Sequence, residues 1–371
     1  MKIGILTHPL MYNYGGILQN YALQSVLKDM GHEAVTIDRR PCFHYGVSLY
    51  AVWAYLSRFY KNVVNHKVTR WNPNLPVNKK EYDIISANIN TFINGHIDRT
   101  EPSLDSTLEE VDRKHQFDCY VVGSDQVWLS GCCPLMFVNF SKRENVRKVF
   151  YAASAGERSW MDDVSKAGQC QELSKGFQAI SVREDALKAA AEKMLSREVS
   201  VVLDPTMLLE PGRYFPKGYC LDDSHDHIFA YILDNNKLKE SIISEASSEL
   251  GAPVVSGFTI DSSKRIKTSL PGVEDWLRQI HSAKYVITDS FHGCAFAILF
   301  KKQFSVVINE SRGRNRFSTL LSRFNLQNRV VTSPESLIET INTPIDYTSI
   351  ESILQEWRHV SLQFLTSALI N

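Results

Sequence analysis

A short polar segment between two apolar runs carries the side chains best suited to catalysis. Its sequence is Asp289-Ser290-Phe291-His292-Gly293. An imidazole can give or take a proton near neutral pH, so we interpret His292 as a candidate general acid or base. We expect Asp289 to orient the ring. The alternatives are a structural histidine with satisfied nitrogens, and a carboxylate that caps the following helix.

Arg183 is a second candidate, because it directly follows the apolar run Ala179–Val182. A guanidinium group binds a carboxylate or a phosphate through two parallel hydrogen bonds. We therefore predict that Arg183 binds an anionic ligand. The alternative is an ion pair with one of its neighbours, Glu184 or Asp185.

Three arginines form a third group, in the loop after the apolar run Phe304–Ile308. They are Arg312, Arg314 and Arg316, and a predicted helix, Phe317–Phe324, follows them. As a set they suit an anionic ligand. A solvated, charged loop would explain them nearly as well.

The elements that hold these groups have the pattern of buried parallel strands followed by helices. Tyr285–Thr288 and Phe304–Ile308 are apolar runs of strand length, and a predicted helix, Cys294–Phe300, separates them. In open α/β sheets, ligands bind at the carboxyl ends of the strands, where helix N-termini present unpaired N–H groups. His292 is predicted to lie at such an edge.

The N-terminal segment has the same organisation. Lys2–Thr7 is an apolar strand, a glycine-containing break follows, and Ile17–Met30 has apolar residues at helical spacing. The GxGxxG spacing of dinucleotide-binding folds is absent, so NAD binding is not predicted. We predict instead a glycine loop and a helix N-terminus that approach a ligand. The alternative is that Gly15 and Gly16 serve only to make the turn.

Strands that end in small or polar residues recur along the chain, as in a parallel sheet with one functional edge. We predict an α/β protein with two Rossmann-like, doubly wound domains. The predicted N-terminal domain spans 1–210, with a helical insertion at about 41–115, and the C-terminal domain spans 211–345. Residues 346–371 are predicted to form a terminal helix able to pack back on the first domain.

The composition excludes several classes of function. The formal net charge is +0, so a nucleic-acid partner is not expected. The seven cysteines are scattered without a CxxC pair, which indicates reduced thiols in the cytoplasm. The motifs GxxxxGK[ST], GxSxG, HExxH and DxD are absent, so neither a P-loop, a hydrolase elbow nor a metal site is predicted.

One aromatic-rich segment, VSLYAVWAYLSRFY at residues 47–60, is the closest approach to a membrane-active sequence. It is shorter than the ~18 apolar residues of a membrane span, and Arg58 interrupts it. We interpret it as a core or lid helix. The alternative is a peripheral membrane contact through Trp53, Tyr55 and Tyr60. The N-terminus, MKIGILTHPL, has the pattern of a first strand and not of a signal peptide.

Four segments together resemble the polysaccharide pyruvyl transferase family. They are NYGGILQNYAL from Asn13, GSDQVW from Gly123, ISVRED from Ile180 and TDSFHGCAFAI from Thr288. A strand and a basic helix follow the last of them. The resemblance extends from the first strand to about Arg329 and so covers most of the chain.

The resemblance implies a GT-B-like architecture with the active site in the cleft between the domains. It also implies a transferase that moves a pyruvyl group from phosphoenolpyruvate to a sugar, commonly as a cyclic ketal across two hydroxyls. The product would belong to an exopolysaccharide or another polymer of the cell envelope. No metal or organic cofactor is implied. The acceptor would be a sugar nucleotide, a lipid-linked sugar or a polysaccharide, and a lipid-linked acceptor would bring a cytoplasmic enzyme to the inner face of the membrane.

The resemblance also implies roles for individual residues. The family's catalytic histidine falls on His292, and Arg183 and Arg316 would hold the carboxylate or phosphate of the donor. The family frequently has arginine two positions before the histidine, where this chain has Ser290, so the role of that arginine is lost here or supplied elsewhere. The remaining predicted substrate-binding residues are Arg314, Asn13, Gly15, Gly16, Gln19, Ser124, Asp125 and Gln126.

Two other classes of function stay open at this point. The first is a GT-B glycosyltransferase that uses a nucleotide sugar, because the same cleft would bind a diphosphate. The second is a non-catalytic protein that binds sugars or sugar phosphates on the same fold.

Overall fold

Two parallel β-sheets form the framework of the described part of the protein. The computed structural model describes residues 1–40, 78–156, 159–216, 224–259, 268–308 and 314–370. The first sheet has six strands and the second has four. Every strand runs parallel to the neighbours with which it pairs.

The first sheet is built from the N-terminal part of the chain. Its strands are β1 (Lys2–Leu6), β2 (Glu33–Thr36), β3 (Cys119–Asp125), β4 (Arg147–Ala153), β5 (Ala179–Val182) and β6 (Ser200–Val201). Their order across the sheet is β2-β1-β3-β4-β5-β6. All seven residues of β3 are buried, which is typical of a parallel strand with both faces covered.

The second sheet follows it in the chain. Its strands are β7 (Ile228–Tyr231), β8 (Val254–Val255), β9 (Tyr285–Thr288) and β10 (Phe304–Val306). Their order across the sheet is β10-β9-β7-β8. The four residues of β9 are all buried, as are those of β7.

Each sheet has a topological switch point, where the chain changes its direction of winding. In the first sheet it lies between β1 and β3, and in the second it lies between β7 and β9. Helix N-termini diverge at such a point and leave a crevice outside the carboxyl ends of the strands, which is where doubly wound folds bind ligands. The polar residues after β1, β3 and β9 are therefore expected at ligand-binding crevices.

Helices connect the strands and cover the sheets. They are α1 (Tyr14–Asp29), α2 (Lys79–Ile85), α3 (Ala87–His96), α4 (Leu108–His115), α5 (Ala167–Ser174), α6 (Asp185–Leu195), α7 (Lys237–Leu250), α8 (Val273–Ser282), α9 (Phe291–Leu299), α10 (Arg314–Arg323), α11 (Pro334–Ile341) and α12 (Tyr347–Ile370). In the ranges that the structure describes, none of them has both the length and the apolar character needed to cross a bilayer.

Helix α1 joins the two sheets. It begins at Tyr14 because the Asn13 side chain accepts a hydrogen bond from the backbone N–H of Gly16. The Tyr14 ring stacks on Trp276 of α8, with ring centroids 5.6 Å apart and planes 8° apart. Its hydroxyl donates to the Pro271 carbonyl at 2.8 Å. One continuous apolar core therefore includes residues from both sheets.

The last helix, α12, also contacts both parts of the chain. Near its start, Glu351 pairs with Lys301 at 2.7 Å, just after α9. Further along, Arg358 donates to the carbonyls of Met207 and Leu209, each at 2.7 Å. Near its end, the Ala368 carbonyl accepts a hydrogen bond from the guanidinium of Arg147 on β4.

The predicted α/β fold with two doubly wound sheets is confirmed. The sequence also predicts a short strand at Arg329–Val331. This prediction is wrong, because a 3-10 turn, Gln327–Arg329, ends there and only Val330 makes an isolated bridge to Val306. Residues 47–60 lie outside the described part of the chain. The described part of the predicted insertion, 78–115, contains α2, α3 and α4. The domain boundaries stay predictions.

Candidate functional site

His292 lies in the first turn of α9, immediately beyond the carboxyl end of β9. The helix begins at Phe291, three residues earlier than predicted, because Ser290 caps it. The Ser290 hydroxyl accepts a hydrogen bond from the N–H of Gly293 at 3.3 Å, and its own N–H donates to Thr288. Ser290 is buried at 6% exposure. In this structure it serves as a helix cap, in place of the predicted contact with substrate.

Asp289 does not orient His292, in contrast to the prediction. Its carboxylate accepts hydrogen bonds from the backbone N–H groups of Leu233 at 2.6 Å and Asp234 at 3.1 Å. It also pairs with the Lys239 ammonium at 2.7 Å. These contacts direct Asp289 toward the loop after β7, and it stabilises the edge on which His292 lies.

Asp204 is the carboxylate next to His292. The distance from His292 Nε2 to Asp204 Oδ2 is 3.7 Å, beyond a hydrogen bond but within the range of an ion pair when the ring is protonated. Asp204 also accepts hydrogen bonds from Arg183 at 2.7 Å, from Ser124 Oγ at 3.1 Å and from the hydroxyl of Thr206 at 2.7 Å. Burial alone would raise the pKa of Asp204, but His292 and Arg183 outweigh burial and hold it well below the usual range.

Arg183 lies at the centre of a buried charge cluster, which we define as Arg183, Asp125, Glu184 and Asp204. Its guanidinium contacts Asp204 at 2.7 Å, Asp125 at 3.0 Å and Glu184 at 3.2 Å. It also lies over the Phe291 ring, 4.4 Å from the centroid. The side chain is 2% exposed and its guanidinium is paired with carboxylates, so the predicted contact of Arg183 with an anionic ligand stays a prediction. An ion pair with Glu184 was the alternative, and the structure adds two carboxylates to it.

The pKa values of the cluster follow from burial and from its cations. Burial alone would raise the pKa of Asp125, but the charges of Arg183, His292, His8 and Arg316, in order of decreasing effect, lower it to about 2. In the ranges that the structure describes, no group of three or more histidine, cysteine or acidic side chains is arranged to hold a metal ion. The carboxylates are instead arranged around a guanidinium.

The lowered pKa of Asp125 predicts a loss of stability in acid. Its folded pKa of about 2 lies below the ordinary 3.8, so the stabilisation is complete above about pH 4 and is lost as the pH falls toward 2. The amount is about 2 kcal/mol, because one pKa unit corresponds to about 1.4 kcal/mol. Thermal unfolding of wild type and Asp125→Asn between pH 6 and about 2 measures it.

Asparagine suits this test because Asp125 has a left-handed backbone, φ 69°, which asparagine also tolerates. We expect the stability difference between wild type and Asp125→Asn to shrink as the pH falls. A matched control is Asp98→Asn, because Asp98 makes an exposed ion pair with Lys28 and should contribute under about 1 kcal/mol. A difference that stays constant down to about pH 2 would contradict the assignment.

Gly15 brings the N-terminus of α1 directly against the His292 ring. A Cβ atom built on Gly15 would lie 2.1 Å from His292 Nδ1 and 2.3 Å from Cγ. Any side chain at position 15 therefore needs the space of the imidazole. Because Nε2 faces Asp204 and Nδ1 faces Gly15, the two nitrogens of the ring have different environments. The predicted approach of the glycine loop to a ligand stays a prediction, and in this structure the loop lies against His292.

Gln19 and Ser124 form an internal connection below this point. The Gln19 amide donates to Thr7 Oγ1 at 3.1 Å, and its carbonyl accepts from the Ser124 N–H at 2.9 Å. Ser124 Oγ contacts both the Ala152 carbonyl and Asp204. Gln19 is 1% exposed and Ser124 is fully buried. Both residues hold the ends of β1 and β3 together. They were predicted to contact a substrate, but in this structure both are buried.

The other predicted binding residues lie around the edge of the cluster. Asn13 and Gly16 form the cap of α1 described above. Gln126 is half-buried and lies against Gly156, where a Cβ atom would be 2.5 Å from its amide nitrogen. Arg316 is half-buried on α10, and its charge reaches Asp125 and Glu184. Arg314 begins α10.

Two residues of the site were missed by the sequence reasoning. Asp204 follows the apolar run Val199–Leu203, and His8 follows β1, so both lie at strand ends where a functional residue is expected. The Nε2 atoms of His8 and His292 are buried and have no hydrogen-bond partner among the described residues. Position at the carboxyl end of a strand was the available signal for both.

Comparison with protein families gives a match over most of the chain. A sequence model of the family described as polysaccharide pyruvyl transferase matches residues 13–311. This range includes His292, Gly15 and the whole charge cluster. A search of curated proteins gave no match.

Solved structures with this fold include proteins of sugar-nucleotide metabolism. A Listeria monocytogenes protein assigned as a UDP-N-acetylglucosamine 2-epimerase has a TM-score of 0.53 and 10% identity, covering 100% of this chain and 96% of that chain. The UDP-N-acetylglucosamine 2-epimerase from Rickettsia bellii has a TM-score of 0.50 and 12% identity, covering 99% and 96%. At such low identity the similarity shows the fold alone, a GT-B-like pair of Rossmann-like units.

Proposed function

The chain belongs to the polysaccharide pyruvyl transferase family, a family of transferases, and from this premise we propose that it moves a pyruvyl group from phosphoenolpyruvate to a sugar. The acceptor sugar belongs to a polysaccharide or its precursor, and the product is a cyclic pyruvate ketal. The observation that carries the proposal is the position of His292. It lies at the switch point of the second sheet, against Gly15 from the switch point of the first.

The proposed reaction balances without any further reactant. One sugar hydroxyl adds through its oxygen to the enol carbon, and the methylene carbon gains a proton to become a methyl group. The proton lost by that hydroxyl restores the acid. A second hydroxyl then displaces phosphate from the same carbon, and its proton leaves with the phosphate. Phosphoenolpyruvate brings its own leaving group, so we propose that no metal or organic cofactor takes part.

We propose that His292 is the acid that protonates the methylene carbon. Its Nε2 faces Asp204 at 3.7 Å, so Asp204 balances the charge of the protonated ring and limits its orientation. We propose that Nδ1, which lies beside Gly15, carries the proton that is transferred. Glycine at position 15 supports this assignment, because a Cβ atom there would lie 2.1 Å from Nδ1 and would occupy the approach to it.

The anionic groups of the donor need positive partners, and the charge cluster does not supply them. The three carboxylates of the cluster exceed its single guanidinium, so the cluster by itself repels an anion. We propose that Arg316 binds the donor, supported by the N-termini of α1 and α9 beside His292. Arg316 then takes the role that the family frequently gives to an arginine at position 290.

We propose that the reaction takes place in the cytoplasm. The cysteines found in the described residues carry free thiols, which agrees with a reducing compartment. A lipid-linked acceptor would bring the enzyme to the inner face of the membrane. The sugar nucleotide and the finished polysaccharide are the other two classes of acceptor.

Calorimetric titration tests the donor. We expect phosphoenolpyruvate to bind saturably, and Arg316→Ala to bind it roughly 10- to 100-fold more weakly, because one charged hydrogen-bonding group is lost. The matched control is Arg213→Ala, which removes an exposed guanidinium paired with Asp29. It should leave donor affinity unchanged.

The same titration with UDP- and GDP-sugars separates the alternatives. Binding of a nucleotide sugar, with no binding of phosphoenolpyruvate, would contradict the proposal and favour a GT-B glycosyltransferase. That alternative draws on the fold shared with the Listeria protein, whose assigned activity concerns a UDP-sugar. Binding of sugar phosphates without turnover of any donor would favour a non-catalytic binding protein.

A further inference from the structure

A cavity of about 580 Å³ opens beside the charge cluster, at the carboxyl ends of β4 and β5. Its walls come from α5, α6, the segment after β4 and the start of α10. The lining residues include Glu184, Asp162, Lys193, Met194, Ala190 and Arg316. Its volume falls within the range of small-molecule sites.

Glu184 lines this cavity, and one of its carboxylate oxygens has no hydrogen-bond partner among the described residues. The residue is 4% exposed. Its Oε1 accepts hydrogen bonds from Ser154 at 2.6 Å and from Arg183 at 3.2 Å. Its Oε2 is buried and has no partner among the described residues. A buried carboxylate oxygen without a donor is costly, so a ligand that brings a donor gains affinity here.

The charges around the cavity favour neither an anion nor a cation beside Glu184 Oε2. Asp162 and Glu184 are balanced by Lys193 and Arg316. An anionic group beside Oε2 would be repelled by Glu184 at short range. A cationic group would be repelled by the two basic side chains, Lys193 and Arg316. A neutral hydroxyl donates to Oε2 without either cost.

The other walls suit the carbon face of a ring. Met161, Leu187 and Met194 supply apolar surface, and Ala186 and Ala190 leave space beside it. Ser159 and Gln171 add hydrogen-bonding groups. Apolar walls with a few polar groups are typical of sites for small, uncharged ligands.

We propose that this cavity binds a neutral pyranose, one sugar unit of the acceptor, with a ring hydroxyl donating to Glu184 Oε2. The inference rests on the proposed function, because it names where that acceptor lies. A short chain of contacts joins the cavity to the proposed acid: Glu184 to Arg183, Arg183 to Asp204, and Asp204 to His292. The cavity and His292 are therefore joined through one buried charge network, and Arg316, the proposed donor-binding residue, itself lines the cavity.

Filling the cavity from α6 tests the proposal without any donor present. Ala190 is exposed and lines the cavity, whereas Ala189 is exposed on the same helix and does not line it. Ala190→Trp places an indole in the cavity, and Ala189→Trp is the matched control. The probes are the methyl glycosides of galactose, mannose, glucose and N-acetylglucosamine, and binding is followed by saturation-transfer NMR with the full chain.

We expect at least one glycoside to bind wild type and Ala189→Trp equally, and Ala190→Trp at least ~10-fold more weakly. Equal binding to Ala190→Trp would overturn the proposal, as would the absence of binding to wild type by all four glycosides. Circular dichroism of both variants verifies that they fold. If Ala190→Trp loses sugar binding and Ala189→Trp keeps it, the cavity site is supported even when phosphoenolpyruvate does not bind. The proposed sugar site and the proposed donor can therefore fail independently.

Discussion

Replacing His292 with alanine is expected to lower the rate of pyruvyl transfer by ~10²-fold or more while leaving the protein folded. The imidazole is the proposed proton donor to the methylene carbon, and Asp204 beside it is acceptor-only when ionised. The fold should survive because alanine is favourable in a helix. The measurement is phosphate release from phosphoenolpyruvate in the presence of the acceptor.

The matched control is His359→Ala, which removes an exposed imidazole from α12. It should leave turnover unchanged. Near-normal turnover in His292→Ala, with a normal unfolding temperature, would remove His292 from the chemistry.

A companion variant separates chemistry from packing. Gly15→Ala puts a methyl group where the ring now lies, so it should also lower turnover and destabilise the protein. In the His292→Ala background the ring atoms at 2.1 and 2.3 Å are gone, so Gly15→Ala should cost less stability there. An equal loss of stability from Gly15→Ala in wild type and in His292→Ala would contradict the close contact between Gly15 and the His292 ring.

Replacing Arg183 with leucine is expected to lower the free energy of unfolding by about 3–5 kcal/mol at neutral pH. The change leaves Asp125, Glu184 and Asp204 buried without the cation that they share. Burial would then raise the pKa of Asp125 and of Asp204, because a main opposing charge is lost. The destabilisation should therefore shrink as the pH falls and these carboxyls become neutral. Urea unfolding at several pH values measures both effects.

Arg213→Ala is the control for this prediction. Arg213 pairs with Asp29 at 2.9 Å on the surface, with both side chains about half exposed, so its loss should cost under about 1 kcal/mol. Arg183→Lys keeps a positive charge and gives a second variant if leucine prevents folding. If Arg183→Leu and the wild-type protein had equal free energies of unfolding at neutral pH, the charge cluster would contribute nothing to the stability of the fold.

The sequence predicts the strands of both sheets well because buried parallel strands are continuous apolar runs. Ala179–Val182 and Tyr285–Thr288 have the predicted bounds. Their polar ends therefore identify Arg183 and His292 as residues of one edge. The start of α9 differs from the prediction because the segment Asp289–Gly293 was interpreted as a polar turn, although serine is a common helix cap.

Contacts between distant parts of the chain could not be predicted in the same way. Asp289 is close to His292 in the sequence. The carboxylate close to His292 in space is instead that of Asp204, which follows a strand of the other sheet. The close approach of Gly15 to His292 likewise depends on how α1 packs between the sheets. Arg183 was interpreted as an anion site because two of its three carboxylate partners, Asp125 and Asp204, come from other strand ends. Local patterns carry no information on such pairings.

The most direct test of the central claim follows the carbon atoms of the donor. Phosphoenolpyruvate labelled with ¹³C at its enol carbon is incubated with the protein and, in turn, with each glycoside and with UDP- and GDP-sugars as acceptors. We expect one acceptor to give a new ketal carbon signal with release of equimolar phosphate, and His292→Ala to give neither. Pyruvyl transfer would be contradicted if the ¹³C signal of the enol carbon stayed unchanged with every acceptor while a nucleotide sugar was consumed.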